Sequence, residues 1–273
     1  MFFLSVPDMI MVLKGLCELR MLRMQETKVR KEAEAKRFGL SRDAVKYIAI
    51  LTMFCNHFAG IFLEEGTLLY EVLIDIGYFA GITMCYFLVE GYRHTRSKKR
   101  YGIRLFVFAV LSQLPFSLAF PKNDGLNMLY TLFLCFLILV VREKVKQKGL
   151  CFLLCVVLFL LTGIGDWPYY AALFVILFDS WRGNWAKLKN AYVIAALSFG
   201  AVMLLHYRSI YPLWQALACT IGSCLGIIVS GLVMRFCYNG QRSRHALAFS
   251  KWFFYIFYPA HLLFLWVARE VLF

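Results

Sequence analysis

Charge is scarce in this chain. Asp, Glu, Lys and Arg make up 17% of its 273 residues, against about 25% in an ordinary soluble domain, and apolar residues reach 61%. A soluble chain of this length has no interior large enough to hide that much apolar surface. The same numbers exclude disorder, collagen and coiled coil. There is no CxxC pair and no His-x-His arrangement among the nine cysteines and five histidines, so neither a disulfide framework nor a metal site is expected. Cys55, Cys85, Cys135, Cys155 and Cys219 sit inside apolar runs, where cysteine is small apolar filler. An internal repeat and a second domain are missing too. Pro7 and Asp8 interrupt the first apolar run and no small-residue cleavage site follows, so a signal peptide is not expected.

What is present is a series of long apolar stretches. A span needs about 20 apolar residues to cross ~30 Å of hydrocarbon. Nine candidates read as 44–63, 68–92, 103–120, 126–141, 149–164, 167–178, 190–208, 211–233 and 249–270. The expected fold class is all-α, a polytopic membrane helix bundle of about nine helices, eight to ten. The sixth stretch is short and reads as a tilted helix, a re-entrant segment or the continuation of a broken fifth helix.

Acidic residues are few: 16 against 30 Lys and Arg, a net charge of +14. In a soluble protein that excess would suggest nucleic acid. Here 27 of the 30 basic residues fall in alternate connections, and only Lys122, Arg208 and Arg269 lie on the other side. The positive-inside rule then predicts a cytoplasmic N-terminus and an outer C-terminus, with the lipid bilayer and no nucleic acid as partner. Residues 1–42 read as a basic, partly amphipathic cytoplasmic segment, with Met9–Met24 suited to the inner leaflet. Residues 43–273 read as a single membrane domain.

Ionisable groups inside a span cost ~2.5–3.5 kcal/mol each and are functional candidates. Counted at ~1.5 Å per residue, His57 lies ~20 Å from the inner end of the first span and His261 ~18 Å into the last, and Asp75 lies ~10 Å from the outer end of the second. All three share one layer, about two-thirds of the way out. Each also has a plain structural reading, as a satisfied buried histidine or a helix-pairing carboxylate. A neutral imidazole in a dry cleft suits general base catalysis. Asn56 precedes His57 but points ~100° away, so its partner is expected on another helix. At the inner face, Glu90 and His94 are four apart on one helical face. Arg93, Arg96, Lys98, Lys99, Arg100, Tyr101 and Arg104 follow. That density suits a polyphosphate ligand, and equally a topology signal that attracts anionic lipid. A third polar set lines the outer ends: Gln113 before Pro115, Asn127, Thr131, and Asp166 in Gly-Ile-Gly-Asp-Trp-Pro, where Gly and Pro suggest broken helices around a cavity. Tyr255, Tyr258 and Pro259 precede His261. Gly77-x-x-x-Gly81 and Gly222-x-x-x-Gly226 allow close helix packing.

Together these residues resemble the TraX family, named for the conjugal transfer protein that N-acetylates pilin. The resemblance covers roughly 39–131 and 249–263. It runs through Asn56-His57-Phe58-Ala59-Gly60, Val89-Glu90-Gly91-Tyr92 with His94-Thr95, Tyr101 and Arg104, Leu111-Ser112-Gln113-Leu114-Pro115-Phe116, Asn127, Thr131 and Asp166. It closes on Phe253-Phe254-Tyr255-x-Phe257-Tyr258-Pro259-x-His261-Leu262. The chain departs from the family pattern at Asn56, Tyr78, Ile82 and Gln113, where Asp, Arg, Pro and Glu are expected. The family is similar to the wider class of multi-helix membrane acyltransferases.

The resemblance implies an enzyme in a bacterial plasma membrane that takes an acyl group, acetyl above all, from cytoplasmic acyl-CoA. The acceptor would be an amine or hydroxyl on the outer side: a pilin or peptide N-terminus, or a glycan. His57 would be the base, with Asn56, Asp75 and His261 around it. Glu90, Arg93, His94, Arg96, Lys99, Arg100, Tyr101, Arg104 and Lys251 would meet the acyl-CoA donor. Gln113, Asn127, Thr131, Asp166 and Tyr258 would serve the acceptor or the oxyanion. Two rival readings are a transporter of a small polar substrate and a catalytically inactive family member.

Overall fold

The computed structural model describes residues 39–241 and 247–272, with side chains of the second stretch from Trp252 onward. The amphipathic stretch expected near the N-terminus and the Lys251 side chain lie outside the described residues. Among those described there are nine α-helices and no β-strand: α1 (Arg42–Phe62), α2 (Leu68–His94), α3 (Lys98–Ala119), α4 (Met128–Lys144), α5 (Lys148–Leu161), α6 (Tyr170–Ser180), α7 (Trp185–Arg208), α8 (Leu213–Leu232) and α9 (Leu247–Leu272). A 3₁₀ turn, Thr162–Ile164, follows α5, and a π-helical turn, Val233–Cys237, follows α8.

The helices start where the sequence offers a cap. Ser41, Thr67, Ser97, Asn127 and Asn184 each accept a backbone N–H of the following first turn with the side-chain oxygen, satisfying a donor that has no partner within its helix. Among the described residues, α1, α2, α3, α7 and α8 with its π turn are long and apolar enough to cross a membrane. This is a membrane protein.

The sixth stretch departs from a full span. Helix α6 has 11 residues, which rise only about 16 Å against ~30 Å of hydrocarbon. It does not continue α5. Gly165 pairs with Leu126 at the start of α4, while Asp179 at the other end of α6 meets Arg93 and Arg142. The chain thus descends through Gly165–Tyr169 without helical structure before α6 begins. Ala171, Ala172, Phe174 and Val175 of α6 are completely buried, so this irregular backbone is backed by protein, as non-helical chain within a membrane must be.

Helix α2 is the axis of the bundle. It packs against α1, α4, α6 and α8, and more of it is buried (56%) than of any other long apolar helix (28–39%). Glycine is what lets its neighbours in. A Cβ at Gly77 would stand 2.2 Å from the Asn56 Cβ, and one at Gly81 would stand 2.2 Å from the Trp167 ring. Proline shapes α3 and α9, since Pro115 and Pro259 each remove one helical N–H inside the helix.

Candidate functional site

Two cavities flank α2, one toward each end, named outer and inner after the sides that the distribution of basic residues predicts. The outer one, of about 300 Å³, is lined by Asn56 and His57 of α1, Gly77, Tyr78 and Gly81 of α2, and by Asp166, Trp167 and Tyr258. Exposed Asn123, in the α3–α4 connection, marks its mouth. The inner one, of about 200 Å³, is lined by Tyr86, Glu90, His94, Arg182 and Tyr238 among others. Met84 faces the outer cavity and Tyr86 the inner one, so the two end within two residues of each other on α2.

The structure brings His57 and His261 together. The two rings lie nearly parallel, 7° apart with centroids at 5.0 Å, and His57 Nδ1 is 2.7 Å from His261 Nε2. The two imidazoles are thus coplanar and joined edge to edge, and the Phe257 ring lies parallel to His261 at 4.9 Å and 9°. Hydrogen bonding fixes the tautomers. His261 Nδ1 lies 2.9 Å from the Phe257 carbonyl oxygen, which can only accept, so this nitrogen carries the hydrogen. In a neutral ring Nε2 of His261 is then the acceptor, and His57 Nδ1–H donates to it. The remaining nitrogen, His57 Nε2, keeps its lone pair and makes no hydrogen bond among the described residues. His57 is 8% exposed and His261 4%, so the dyad sits in a dry setting at the cavity wall.

The layer counted from helical rise holds for depth, yet Asp75 belongs elsewhere. It leaves α2 toward α8, where Ser223 Oγ donates to Oδ1 at 2.8 Å. Gly222 makes the room: a Cβ there would stand 2.0 Å from Asp75 Oδ2. One turn earlier, buried Glu71 accepts from Tyr207 at 3.4 Å and from Tyr211 at 3.3 Å. This carboxylate pair forms a separate α2–α7–α8 cluster. Glu71 was missed by sequence reasoning; its i,i+4 spacing to Asp75 was the available signal.

Asn56 donates from Nδ2 to the Ile74 carbonyl of α2 at 2.9 Å and lines the outer cavity. Asp166 lines the same cavity on the strained segment, in which Trp167 (φ 58°) and Tyr169 (φ 63°) occupy the left-handed region. Such backbone costs roughly 1–3 kcal/mol per residue and persists only where the surroundings enforce it. Trp167 stacks on Phe199 at 5.6 Å and 12°, with Tyr78 edge-on at 6.0 Å. Thr131 holds the segment down by donating to the Asp166 carbonyl at 2.7 Å. Tyr258 Oη accepts from Met128 N at 3.2 Å and turns its ring edge to His57. Trp167 and Tyr78 were not singled out for this wall from the sequence.

Three expected oxyanion donors are already committed. Asn127, completely buried, caps α4 with its oxygen and gives its amide hydrogens to Ala109 O at 2.8 Å and Gln113 Oε1 at 2.8 Å. Gln113 donates to Ser117 Oγ and Gly125 O, both at 3.2 Å, and accepts from Asn127 N at 3.1 Å. Thr131 is spent on Asp166. These residues clamp the α3–α4 connection.

At the inner end the basic segment divides. Glu90 is enclosed by Arg42, whose Nε lies at 3.1 Å, and by the Tyr238 hydroxyl at 2.7 and 2.9 Å. Arg93 is taken up by Asp179, and Lys98 by Glu143 at 2.5 Å. Tyr101 is packed edge-on to Phe136 at 5.4 Å. Arg96, Lys99 and Arg100 are exposed, and exposed His94 and Arg182 line the inner cavity. Arg104 lies between the rings of Tyr101 and Tyr255, at 5.7 and 6.0 Å from their centroids.

A family model described as TraX protein matches residues 41–269, most of the chain and all of both cavities. This chain belongs to the TraX family. A curated relative, the probable fimbrial assembly protein FimC, serogroup H1, of Dichelobacter nodosus, is 30% identical over 249 residues, 87% of this chain and 99% of its own length. No solved structure matches. Both histidines of the dyad lie within the TraX match.

Proposed function

We propose that this TraX family member is a membrane acyltransferase. It moves an acyl group, acetyl above all, from cytoplasmic acyl-CoA to an amine or hydroxyl acceptor at the outer side of a bacterial plasma membrane. The observation that carries the reading is the His57–His261 dyad, which leaves a lone pair on His57 Nε2 at the wall of the outer cavity. In that role His57 Nε2 takes the proton of the acceptor N–H or O–H as its heteroatom attacks the thioester carbonyl. The C–S bond breaks, the proton passes to the thiolate, and the products are the amide or ester and free CoA. His261 is a positioning residue that holds the His57 tautomer. The free hydrogen of the Asn56 amide and the outer-cavity tyrosines are the donors in reach of a developing oxyanion.

The reading has nine crossings with the N-terminus cytoplasmic, the orientation that the basic connections favour. The donor would come from the inner end. The inner cavity, at about 200 Å³, suits the pantetheine arm and not the nucleotide, which would lie outside it on His94, Arg182, Arg96, Lys99 and Arg100. From Glu90 to Gly77 the rise of α2 is about 20 Å, on the order of the roughly 15–20 Å pantetheine arm. Asp166, with Trp167 and Tyr78 beside it, suits an ammonium-bearing acceptor. The relative described as a fimbrial assembly protein supports a pilin or peptide N-terminus.

A second reading, a transporter of a small polar substrate, is favoured by the buried Glu71 and Asp75 cluster between α2, α7 and α8. Binding separates the two. Acetyl-CoA is titrated against the purified protein in nanodiscs, beside His57→Ala and Arg182→Ala. The acyltransferase reading expects weaker binding in Arg182→Ala, and intact binding with no transfer in His57→Ala. Folded protein that binds no acyl-CoA, or transfer that survives in His57→Ala, sinks it.

A further inference from the structure

Arg104 is a partly buried cation that stands outside the inner ion-pair network of the described residues. Arg42 holds Glu90, Arg93 and Arg142 hold Asp179, and Lys98 holds Glu143. Arg104 has no ion pair among the described residues; its guanidinium interacts with the Tyr255 hydroxyl, and its Nε is buried without a partner. It stands six residues into α3, about 9 Å from the helix start. A cation at such depth costs up to ~2.5–3.5 kcal/mol, and an aromatic face returns roughly 0.5–2 kcal/mol. Two tyrosine rings therefore offset much of the charge cost. They leave the Arg104 Nε–H without an acceptor, on a fork that carries five N–H donors in all.

Among the described residues, the neighbours of Arg104 add hydrogen-bond donors. Arg100 is four residues earlier on the same face of α3 and exposed. Tyr101 is fixed by Phe136, and its hydroxyl lies by Gly91, where a Cβ would stand 3.0 Å away. Tyr255 is fixed by Phe108 at 5.0 Å. The Tyr255 oxygen accepts from Arg104, which leaves its own O–H hydrogen to donate.

We propose that Arg104, with Tyr101, Tyr255 and Arg100, forms a phosphate site at the cytoplasmic end of the α3–α9 seam. A phosphate group matches both the planar fork and the surplus of positive charge, and takes several hydrogen bonds at once. Two ligands carry that group to this depth: the headgroup of an anionic inner-leaflet lipid, and the phosphates of CoA. The site shares no residue with the lining of the inner cavity, and it stands whether or not the protein transfers acyl groups.

The test is ligand binding to the full chain in phosphatidylcholine nanodiscs. One arm adds phosphatidylglycerol and follows thermal unfolding and lipid retention by native mass spectrometry. The other adds CoA without anionic lipid. Arg104→Gln is compared with wild type, together with Tyr255→Phe, which keeps the ring and removes the hydroxyl. The expected result is affinity lowered about tenfold or more in Arg104→Gln and several-fold in Tyr255→Phe. Loss in the phosphatidylglycerol arm identifies a lipid headgroup, and loss in the CoA arm identifies the thioester donor. Should Arg104→Gln fail to fold, Arg104→Lys and Tyr255→Phe carry the comparison. Unchanged affinity for both ligands in the folded variants overturns the proposal. CoA that still binds those variants leaves the acyl-transfer reading standing while the phosphate site falls.

Discussion

Replacing His261 with Phe tests the dyad with little else disturbed. The variant keeps an aromatic ring parallel to Phe257, at 4.9 Å from it, and edge to edge with His57. It removes the acceptor of the 2.7 Å bond from His57 Nδ1. The His57 N–H is then buried and unsatisfied, at a cost of about 1–3 kcal/mol. Two responses are open to the ring: it keeps its tautomer and bears that cost, or it moves the hydrogen to Nε2 and loses the lone pair facing the outer cavity. The second response removes the base, and positioned bases contribute about 10²–10⁴-fold. The expected outcome is transfer slowed by about that factor, with acyl-CoA affinity unchanged and a modest drop in Tm. The assay is CoA thiol release with a peptide amine in nanodiscs, with ligand titration and thermal unfolding on the same preparation. Transfer at the wild-type rate in folded His261→Phe would refute the assignment of His261 as the residue that sets the His57 tautomer.

Three further outcomes are expected. Gly81→Ala puts a Cβ 2.2 Å from the Trp167 ring and should destabilise by about 1–3 kcal/mol, read as a lower Tm; an unchanged Tm would show that the 165–169 segment is loosely held. Glu90→Ala strands Arg42, whose side chain is only 10% exposed, and should cost about 3–5 kcal/mol; a double change of Arg42 and Glu90 to Met should recover much of it, and equal damage in single and double variants would count against a buried pair. Asp166→Asn should raise KM for an amine acceptor about tenfold or more and leave Tm nearly unchanged, so an unaltered KM would remove Asp166 from acceptor binding.

Composition and span length made the helix bundle legible, because apolar excess and ~20-residue runs follow directly from bilayer thickness. Depth was legible too: the helical rise placed His57 and His261 in one layer, and they touch. Rotation about the helix axis was not. Asp75 lies in the same layer, yet it leaves α2 toward Gly222 and Ser223, and only packing decides which side of a buried helix meets which neighbour. The polar outer set was misread for a related reason. Asn127, Gln113 and Thr131 are polar because a broken connection between helices must satisfy its own backbone, and their hydrogen bonds run inward. Nor does a run of basic residues reveal which of them are neutralised. Arg93 and Lys98 answer Asp179 and Glu143, acids more than forty residues away in sequence.

The positions where this chain departs from the family pattern bear on whether the site is intact. Asn56, Tyr78 and Gln113 stand where Asp, Arg and Glu are expected, and two of the three make bonds that the ionised residue could not. The Asn56 amide donates to Ile74 O, and the Gln113 amide donates to Ser117 and Gly125. A carboxylate has no hydrogen to give in either place. Tyr78 fills the space beside Gly226 and packs edge-on to Phe199 at 4.8 Å, where an arginine would bury a charge with no acid opposite it in the outer cavity except Asp166. The substitutions are thus mutually consistent: at the cavity wall Asn56 and Tyr78 stand for one acid and one cation and leave its net charge unchanged, and away from it the Gln113 amide holds the α3–α4 connection. None of the three side chains hydrogen-bonds to His57 or His261 among the described residues. Asn56→Asp should therefore break the α1–α2 bond to Ile74 and lower Tm before it restores anything to the chemistry. An Asn56→Asp variant with higher Tm and faster transfer would show that the neutral wall is a defect and not an adapted site.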